Sequence, residues 1–468
     1  MSIDEISSES SGNSSKFLHP QAARDDDKNL IEREIPENKP EDRNDFQRDR
    51  DRIIHSKAFR RLMHKTQVFV SPDSEHFRTR MTHTLEVAQI ARSIAKNIGA
   101  KEELTEAIAL GHDLGHTPFG HKGQYVLDGL LKKYRFWFRH AAQSFRVVSY
   151  LEYYPRFEFG QGLNLTRATR AGILRHSSVS AQNPDEKFGK FIDLKGKIKT
   201  FDCPETLEEK IVRIADDIAW ANHDWDDGVR AGILSNSLLG KDILAQLGCF
   251  QGERINKLVQ DLEKNFRSNE ELKFSPDKEG LFKELQNRLT KYLQHSTAIE
   301  RGDGEINHQI KTLFELFMEN PVLLPQATRE RRRVYVDNHL NSSQKRHNAL
   351  VIADFISGMT DDYFTATYRD LFCFSRRKLR ETQSADWIKI EEVISDKKVS
   401  LDFPENLSFA DLKKDAKWYV CTVEEGERRE NVQVVCKGIA KLLNEKEAEV
   451  YLEEGRELEK GKDVLILE

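Results

Sequence analysis

The densest chemical signal in this chain is the stretch GHDLGHTPFGH, residues 111–121. We expect its three histidines and its aspartate to lie within about three helical turns. Imidazole nitrogen and carboxylate oxygen are the donors that borderline divalent cations favour, and few structural helices need so many of them. The stretch therefore predicts a metal site built on a helical fold.

Two consecutive helical residues point about 100° apart, so His112 and Asp113 can reach one ion only if it lies close against the helix. We interpret Gly111 and Gly115 as the positions that permit this approach. A lone histidine–aspartate pair means little, since it recurs later in the chain and buried polar groups usually have structural partners. The clustering favours function, although spacing alone does not identify distant ligands.

Apolar residues recur three and four apart over most of the chain, which indicates a mainly α fold. His83 falls in the opening turn of one predicted helix, while Asp216 and Trp220 share a face of another. A threonine followed by a glutamate three residues later is typical of a capping box at the start of that last helix. The three helices that matter most are expected over about 82–99, 102–113 and 206–225.

Composition divides the chain into three parts. Residues 1–44 are polar, with few large apolar side chains, and are expected to form a mobile tail. Residues 45–380 are expected to form a single helical body. Residues 381–468 are expected to form a small mixed α/β appendage, in which short apolar runs precede a charged helix over about 437–459.

Several classes of protein are excluded by composition. The chain lacks the roughly 18 to 20 uninterrupted apolar residues of a membrane span and the layout of a signal peptide. Its five cysteines are scattered and never spaced as CxxC, which argues against disulfides or a thiolate zinc site. A net charge of −5 on a densely charged chain favours no particular partner. We expect a cytoplasmic protein.

Six stretches, one of which contains the opening motif, carry a resemblance to a known family. In order, these stretches resemble the motifs of the bacterial dGTPase-like deoxynucleoside triphosphate triphosphohydrolases of the HD superfamily, over about residues 44–372. The resemblance implies hydrolysis of deoxynucleoside triphosphates at the α-phosphorus, which yields deoxynucleoside and triphosphate. The stretches are RDRDRIIHSKAFRRLMHKTQVF, RTRMTHTLEVAQIARSIA, EAIALGHDLGHTPFGHKG, GLNLTRATRAGILRH, ADDIAWANHDWDDG and ADFISGMTDDY.

The resemblance also implies a metal site and a phosphate site. It implies that His116, His121 and His140 line the α-phosphate, with His121 nearest the scissile bond as proton donor or water positioner. Arg80 takes the position of a phosphate-binding arginine, for which a surface ion pair is the alternative interpretation. The implied cofactor is a divalent cation such as Mn²⁺ or Mg²⁺, held by His83, His112, Asp113 and Asp216.

Other positions match parts of the substrate pocket. Trp220 and Asp224 correspond to an aromatic against the sugar and a carboxylate on the 3′-hydroxyl, although Trp220 taken alone would be a core residue. Gln67 corresponds to a position near the base. Asp361 and Tyr363 lie in a motif near the pocket, but a helix cap and a core aromatic explain them about as well.

Two positions depart from the family pattern: Gln124, and Ala141 after His140, where the family usually has Asn. The residues after the FGH motif usually include an acid that hydrogen-bonds the catalytic histidine, and Gln124 stands there instead. An amide can orient an imidazole without stabilising its charge. We count Gln124 among the catalytic positions and expect Gln124→Glu to raise turnover. A natural divergence and a deliberate substitution both explain the glutamine.

Partners and competing functions remain open. Similar enzymes often form hexamers that hold allosteric nucleotides, so the resemblance implies a homo-oligomer and a nucleotide effector. The basic clusters at 329–333 and 376–380 make single-stranded DNA a further hypothesis, although solvated charge explains them more simply because no aromatics are interleaved. The alternatives are a nucleotide-sensing or DNA-binding protein with weak catalysis, and an HD hydrolase of another nucleotide.

Overall fold

The structure is a computed structural model. It describes residues 18–38, 42–67, 77–155, 157–177, 189–294, 297–335, 341–372, 388–395, 398–402, 418–425, 432–444, 447–452 and 463–467. Its helices are α1 (Lys28–Ile31), α2 (Asp45–Ile54), α3 (Lys57–Arg61), α4 (Arg80–Ile98), α5 (Glu102–Gly111), α6 (Gly120–Lys132), α7 (His140–Arg146), α8 (Arg167–Arg175), α9 (Leu207–Arg230), α10 (Lys241–Gln246), α11 (Gln251–Asn269), α12 (Pro276–Gln294), α13 (Thr297–Glu319), α14 (Gln326–Tyr335), α15 (Asn341–Ser357) and α16 (Asp361–Phe372). Its strands are β1 (Lys190–Ile192), β2 (Ile198–Thr200), β3 (Ile388–Ser395), β4 (Lys398–Asp402), β5 (Trp418–Glu425), β6 (Val432–Asn444), β7 (Glu447–Leu452) and β8 (Asp463–Leu467).

Contacts divide the chain into two units. The first consists of Met1–Ile310 and Glu330–Asp361, and the second of Lys311–Arg329 and Asp362–Glu468. Within the first unit, α4, α5 and α9 pack on one another, and α2 and α8 pack on α5. Among the described helices, none has the length and apolar character that a bilayer crossing requires. The predicted mainly α fold is confirmed.

The three central helices follow the predicted bounds closely. Helix α4 ends where Gly99 takes a left-handed conformation with φ of 76°, which glycine adopts without a steric penalty. Helix α9 begins after Thr206, whose hydroxyl accepts a hydrogen bond from the Glu209 backbone. The Glu209 carboxylate binds Arg175 instead of completing the capping box. The buried faces form one core, which includes Val87, Ile94, Leu104, Ile108, Ile211, Val212 and Ile218.

The expectation that the first 44 residues form a mobile tail is wrong for residues 18–38. Arg33 lies between α2 and the chain before α8, where it contacts Asp49 at 2.7 Å and the Asn164 carbonyl at 2.6 Å. The Ala23 backbone donates to Glu208 at the start of α9 at 3.1 Å. Ion pairs and backbone contacts fix this segment, so its low apolar content was a poor guide to its order.

The described strands of the second unit form a closed antiparallel barrel in the order β3-β4-β7-β6-β5-β8. Strand β3 pairs with β8 to close it. The small strand-containing region was expected. The prediction of a charged helix over about 437–459 is wrong, because β6 and β7 occupy 432–444 and 447–452. In this region sheet pairing outweighs the helical propensity of the lysines, leucines and glutamates.

Candidate functional site

Helices α4 and α9 bring together two residues that are distant in the chain. His83 lies in the first turn of α4, and Asp216 lies near the middle of α9. The Nε2 atom of His83 is 3.0 Å from Oδ1 of Asp216. The pairing agrees with the ligands expected from the sequence.

His112 joins this pair from the end of α5. Its Nδ1–H donates to the Ala109 carbonyl at 2.6 Å, which leaves the lone pair on Nε2. That Nε2 is buried, lacks a hydrogen-bond partner among the described residues, and lies 3.6 Å from Oδ1 of Asp216. The donor atoms of His83, His112 and Asp216 all lie within 4.8 Å of one another.

These atoms fit a divalent cation. Ligands about 2.1 Å from a tetrahedral ion stand about 3.4 Å apart. The distances of 3.0 and 3.6 Å to Asp216 are close to that separation. An imidazole nitrogen without a partner in a dry site is costly unless something takes its lone pair.

Asp113 borders the same group and carries an ion pair that the sequence did not predict. Its Oδ1 lies 3.4 Å from Nε2 of His112 and 3.2 Å from Nε2 of His116, and its Oδ2 lies 2.8 Å from Arg80. Burial disfavours the carboxylate, but the neighbouring imidazoles and the Arg80 guanidinium keep the pKa of Asp113 well below its ordinary value. Arg80 therefore holds a predicted metal ligand, in addition to any contact with phosphate.

Three further histidines form a second cluster. The rings of His116 and His140 stack with centroids 4.0 Å apart, and His121 stands edge-on to both. His121 lies in the first turn of α6 with part of its surface exposed. Desolvation by the surrounding protein and the charge of Arg80 lower the pKa of His121 to about 4. Burial likewise keeps the pKa values of His116 and His140 well below normal.

Gln124 contacts His140, one of the three histidines that the resemblance places at the α-phosphate. Its side-chain oxygen accepts from the His140 backbone at 2.8 Å and from the His140 ring at 2.9 Å. Helix α6 passes along the first turn of α7, so the residue three positions after His121 faces the neighbouring helix.

His176 belongs to the site and was not singled out from the sequence. It follows α8, is 1% exposed, and its ring centroid lies 5.0 Å from that of His112 and 5.2 Å from that of His140. Burial and the charge of His112 lower the pKa of His176 to about 4. The signal was present in the GILRH motif, but a single histidine without a neighbouring acid resembles an ordinary core residue.

The three residues expected to contact the substrate lie in different environments. Gln67 is buried, and its side-chain oxygen has no hydrogen-bond partner among the described residues. Trp220 is partly buried against the core, one turn after Asp216. Asp224 is buried, and desolvation together with the charge of Asp227 raises the pKa of its carboxyl well above normal.

Asp361 ties two loops at the site together. Its carboxylate accepts from the Thr66 backbone and hydroxyl at 2.9 and 2.8 Å, and from the Phe119 backbone at 3.0 Å. The neighbouring Gly120 has φ of 60° and lies so close to Arg80 that an added Cβ would stand 3.0 Å from NH2 of the guanidinium. Tyr363 is 49% exposed, so it is not a core aromatic.

The role expected for the two glycines is wrong. An added Cβ at Gly115 would lie 2.1 Å from the backbone nitrogen of Ser144, and one at Gly111 would lie 2.4 Å from Ile173. The glycines thus allow α7 and α8 to pack closely against the end of α5. We had expected them to leave room for the cation. The helical turns expected over residues 111–121 are also interrupted, because α5 ends at Gly111 and α6 begins at Gly120.

The basic clusters give little structural information. Arg329 is half-buried in α14. The side chains of 331–333 and all of residues 376–380 lie outside the described residues. Single-stranded DNA binding stays a hypothesis based on the sequence.

Two family models match the part of the chain that carries these residues. The HD domain model matches residues 80–221, which contain the histidine clusters and Asp216, and the phosphohydrolase-associated domain model matches residues 272–370. Both matches lie within the region that the sequence motifs cover.

The chain is also similar to curated proteins named deoxyguanosinetriphosphate triphosphohydrolase-like protein. The one from Caldanaerobacter subterraneus subsp. tengcongensis is 43% identical over 357 residues, which is 76% of this chain and 93% of the relative. The one from Wolinella succinogenes is 40% identical over 70% of this chain and 95% of the relative. The one from Nitrosomonas europaea is 38% identical over 75% of this chain and 96% of the relative.

Proposed function

Because this chain belongs to the family of deoxyguanosinetriphosphate triphosphohydrolase-like proteins, hydrolases with an HD domain, we propose that it hydrolyses deoxynucleoside triphosphates at the α-phosphorus. Water oxygen bonds to the α-phosphorus, the bond to the 5′-oxygen breaks, and that oxygen takes a proton. The products are the deoxynucleoside and intact triphosphate. The observation that supports this most directly is the meeting of His83, His112 and Asp216 next to the histidine cluster.

The proposed cation ligands are His83, His112, Asp113 and Asp216. A bound Mn²⁺, Mg²⁺ or similar ion supplies charge neutralisation for the phosphate and a lowered pKa for its water. His83 and Asp216 come from two helices packed on one core, so the ligand positions are fixed before any ion binds.

The histidine cluster supplies neutral imidazoles at pH 7. With a pKa of about 4, His121 in the free protein accepts a hydrogen bond from water more readily than it donates a proton. This favours His121 as the residue that orients water. His116 and His140 stack beside it and would line the α-phosphate, while Arg80 would contact phosphate oxygens with its remaining N–H groups.

The sugar contacts rest on Trp220 and Asp224. The raised pKa of Asp224 favours the protonated form of this buried carboxyl relative to an ordinary aspartate, and a carboxyl that holds a proton can both donate to and accept from a 3′-hydroxyl. The flat face of Trp220 would leave no room for a 2′-hydroxyl, which explains a preference for deoxynucleotides. Gln67 would read the base edge.

The test is product analysis with each dNTP and each matched ribonucleotide in the presence of Mn²⁺. We expect inorganic triphosphate and deoxynucleoside, with ¹⁸O from labelled water in the triphosphate, and at least about a 100-fold loss in Asp216→Asn. Release of pyrophosphate or monophosphate, or turnover only of nucleoside monophosphates or a guanosine alarmone, would contradict the proposal.

Gln124 supports a second candidate, a nucleotide sensor with weak catalysis, because the orienting group beside His140 carries no charge. Tight dNTP binding with negligible turnover in the same assay would favour it. We also propose that the chain forms a homo-oligomer, expected to be a hexamer, and that a nucleotide effector binds it. Measuring the mass of the particle in solution with and without dNTP would test both.

A further inference from the structure

A buried lysine contacts the turn that carries His116. Lys65 is 2% exposed, and its Nζ donates to two main-chain carbonyls, that of His116 and, at 2.7 Å, that of Ser357. On the basis of the proposed function, we propose that Lys65 is a positioning residue, which holds His116 and Arg80 where hydrolysis at the α-phosphorus needs them.

The contact with His116 fixes a short turn at the site. This turn joins α5 to α6 and carries His112, Asp113 and His116. The His116 N–H donates to the Asp113 carbonyl at 3.1 Å, and the His116 carbonyl accepts from Lys65. Ring Nδ1 of His116 has no hydrogen-bond partner among the described residues, and Nε2 lies 3.2 Å from Asp113. The position of this ring therefore depends largely on its backbone.

The contact with Ser357 anchors the lysine to α15. Ser357 is the last residue of that helix, where carbonyls lack helical partners and the helix dipole attracts positive charge. Gln143 in α7 donates to the Ser357 hydroxyl at 3.1 Å and to Asp354 at 2.9 Å. Lys65 thus joins the turn of His116 to an end of α15 that α7 also holds.

The backbone of the same lysine contacts Arg80. The Lys65 carbonyl accepts from the Arg80 N–H at 2.9 Å, at the first residue of α4. The Arg80 side chain then donates to Asp113 at 2.8 Å and to the Gln67 carbonyl at 3.4 Å. One residue therefore contacts both His116 and Arg80, two groups that the proposed function places at the phosphate.

Burial of this amine is unfavourable. Desolvation, together with the charge of Arg61, lowers the pKa of Lys65 well below its ordinary value. A methionine would avoid this cost but would leave two carbonyls of buried residues without their donor. The amine has the two N–H groups that these contacts use whether or not it is charged, so the contacts do not depend on its titration.

The test variant is Lys65→Met, which keeps the apolar part of the side chain and removes its N–H donors. We expect kcat for dNTP hydrolysis with Mn²⁺ to fall roughly tenfold to 100-fold, while KM and the Mn²⁺ affinity stay within about threefold of the natural values. Amide hydrogen exchange in the peptide over residues 111–121 should become at least about tenfold faster. Lys101→Met is the matched control, because Lys101 is also buried and pairs with Asp25 at 2.6 Å, just before α5. It should leave all four quantities unchanged.

A natural kcat in a folded Lys65→Met variant would overturn this role. A loss of Mn²⁺ affinity, or faster exchange throughout the chain, would also overturn it, because either would mean that the lysine acts on the structure in general. If Lys65→Met does not fold, Lys65→Ala is assayed with and without propylamine, which matches the part of the side chain removed. Propylamine should restore kcat, and no response to it would refute the role.

Failure of the proposed function would look different. A natural chain that hydrolyses no dNTP would contradict that function and leave the kinetic comparison without a baseline. The exchange rates over residues 111–121 would then decide alone whether Lys65 holds the turn of His116.

Discussion

The side-chain oxygen of Gln124 accepts two hydrogen bonds from one residue, His140, at 2.8 Å from the backbone nitrogen and 2.9 Å from ring Nδ1. The pair of contacts fixes both the start of α7 and the tautomer of the ring. Because an amide carries no charge, this orientation comes without any stabilisation of the imidazolium form.

We expect Gln124→Glu to raise turnover by roughly tenfold to 100-fold, the usual effect of an orienting partner. The carboxylate would keep both hydrogen bonds and raise the pKa of His140, so the alkaline limb of the pH–rate profile should move to higher pH. Gln161→Glu is the matched control, since the Gln161 oxygen also accepts a backbone N–H, that of Glu158. Identical rates and superimposable profiles in both variants would contradict the expectation.

Cation binding should stabilise the folded chain, because the proposed ligands His83 and Asp216 come together only when α4 and α9 are packed. At a free Mn²⁺ concentration of 100 times Kd, we expect a gain of about 2.7 kcal/mol in the free energy of unfolding. Thermal or urea denaturation with and without EDTA measures it. Asp216→Asn should abolish most of the gain, and an equal gain in that variant would place the cation elsewhere.

Glu37 should make stability depend on pH in the acid range. Burial disfavours its charge, but the hydrogen bond and charge of Arg52, with Asn164 and Arg48, keep the pKa of the Glu37 carboxyl below the ordinary 4.5. The folded chain therefore holds this proton less readily than the unfolded chain. The stabilisation is complete above about pH 4.5 and is lost as the pH falls through the folded pKa.

Glu37→Gln should accordingly lower the free energy of unfolding by about 1–2 kcal/mol at pH 7, with the difference from the natural chain shrinking below pH 4.5. Urea denaturation at several pH values measures this. Glu270→Gln, a change at the exposed C-terminal end of α11, should follow the natural chain throughout. A difference that stays constant down to pH 3 would mean that the ion pair does not stabilise the segment.

Gly115→Ala should destabilise the protein by about 3 kcal/mol or more, beyond ordinary overpacking. The new Cβ would stand 2.1 Å from the backbone nitrogen of Ser144, and backbone cannot move aside cheaply. Gly129→Ala is the control, because nothing lies within 4 Å of a Cβ at that position in α6. It should stabilise by about 0.5–1 kcal/mol. Equal denaturation midpoints for the two variants would rule out the close contact.

Periodicity and caps were sufficient to predict the helices that carry the site. The apolar stripes of α4 and α9 are each continuous, and Gly99 and Thr206 mark an end and a start that depend only on local backbone preferences. The convergence of His83 with Asp216 was different, because nothing local records which helices pack together. It came from the resemblance.

The structural features that the sequence did not predict share a physical cause. His176 looks like a core histidine until α8 is placed beside α5, and the partner of Gln124 depends on how α6 passes α7. The order of residues 18–38 depends on Arg33 reaching Asp49, a contact that composition does not reveal. In each case the deciding interaction joins two different segments of the chain, and even the 16 residues that separate Gln124 from His140 and Arg33 from Asp49 place it beyond local patterns.

The bridge that Asp361 forms with Thr66 and Phe119 has a consequence for biosynthesis. The carboxylate that holds these two loops leaves the ribosome almost 300 residues after the first of them, so the loops cannot reach their final arrangement while the intervening helices are still being translated. A nascent chain truncated before this aspartate should therefore contain folded α4 and α5 but lack the final arrangement of the loops at Thr66 and Phe119.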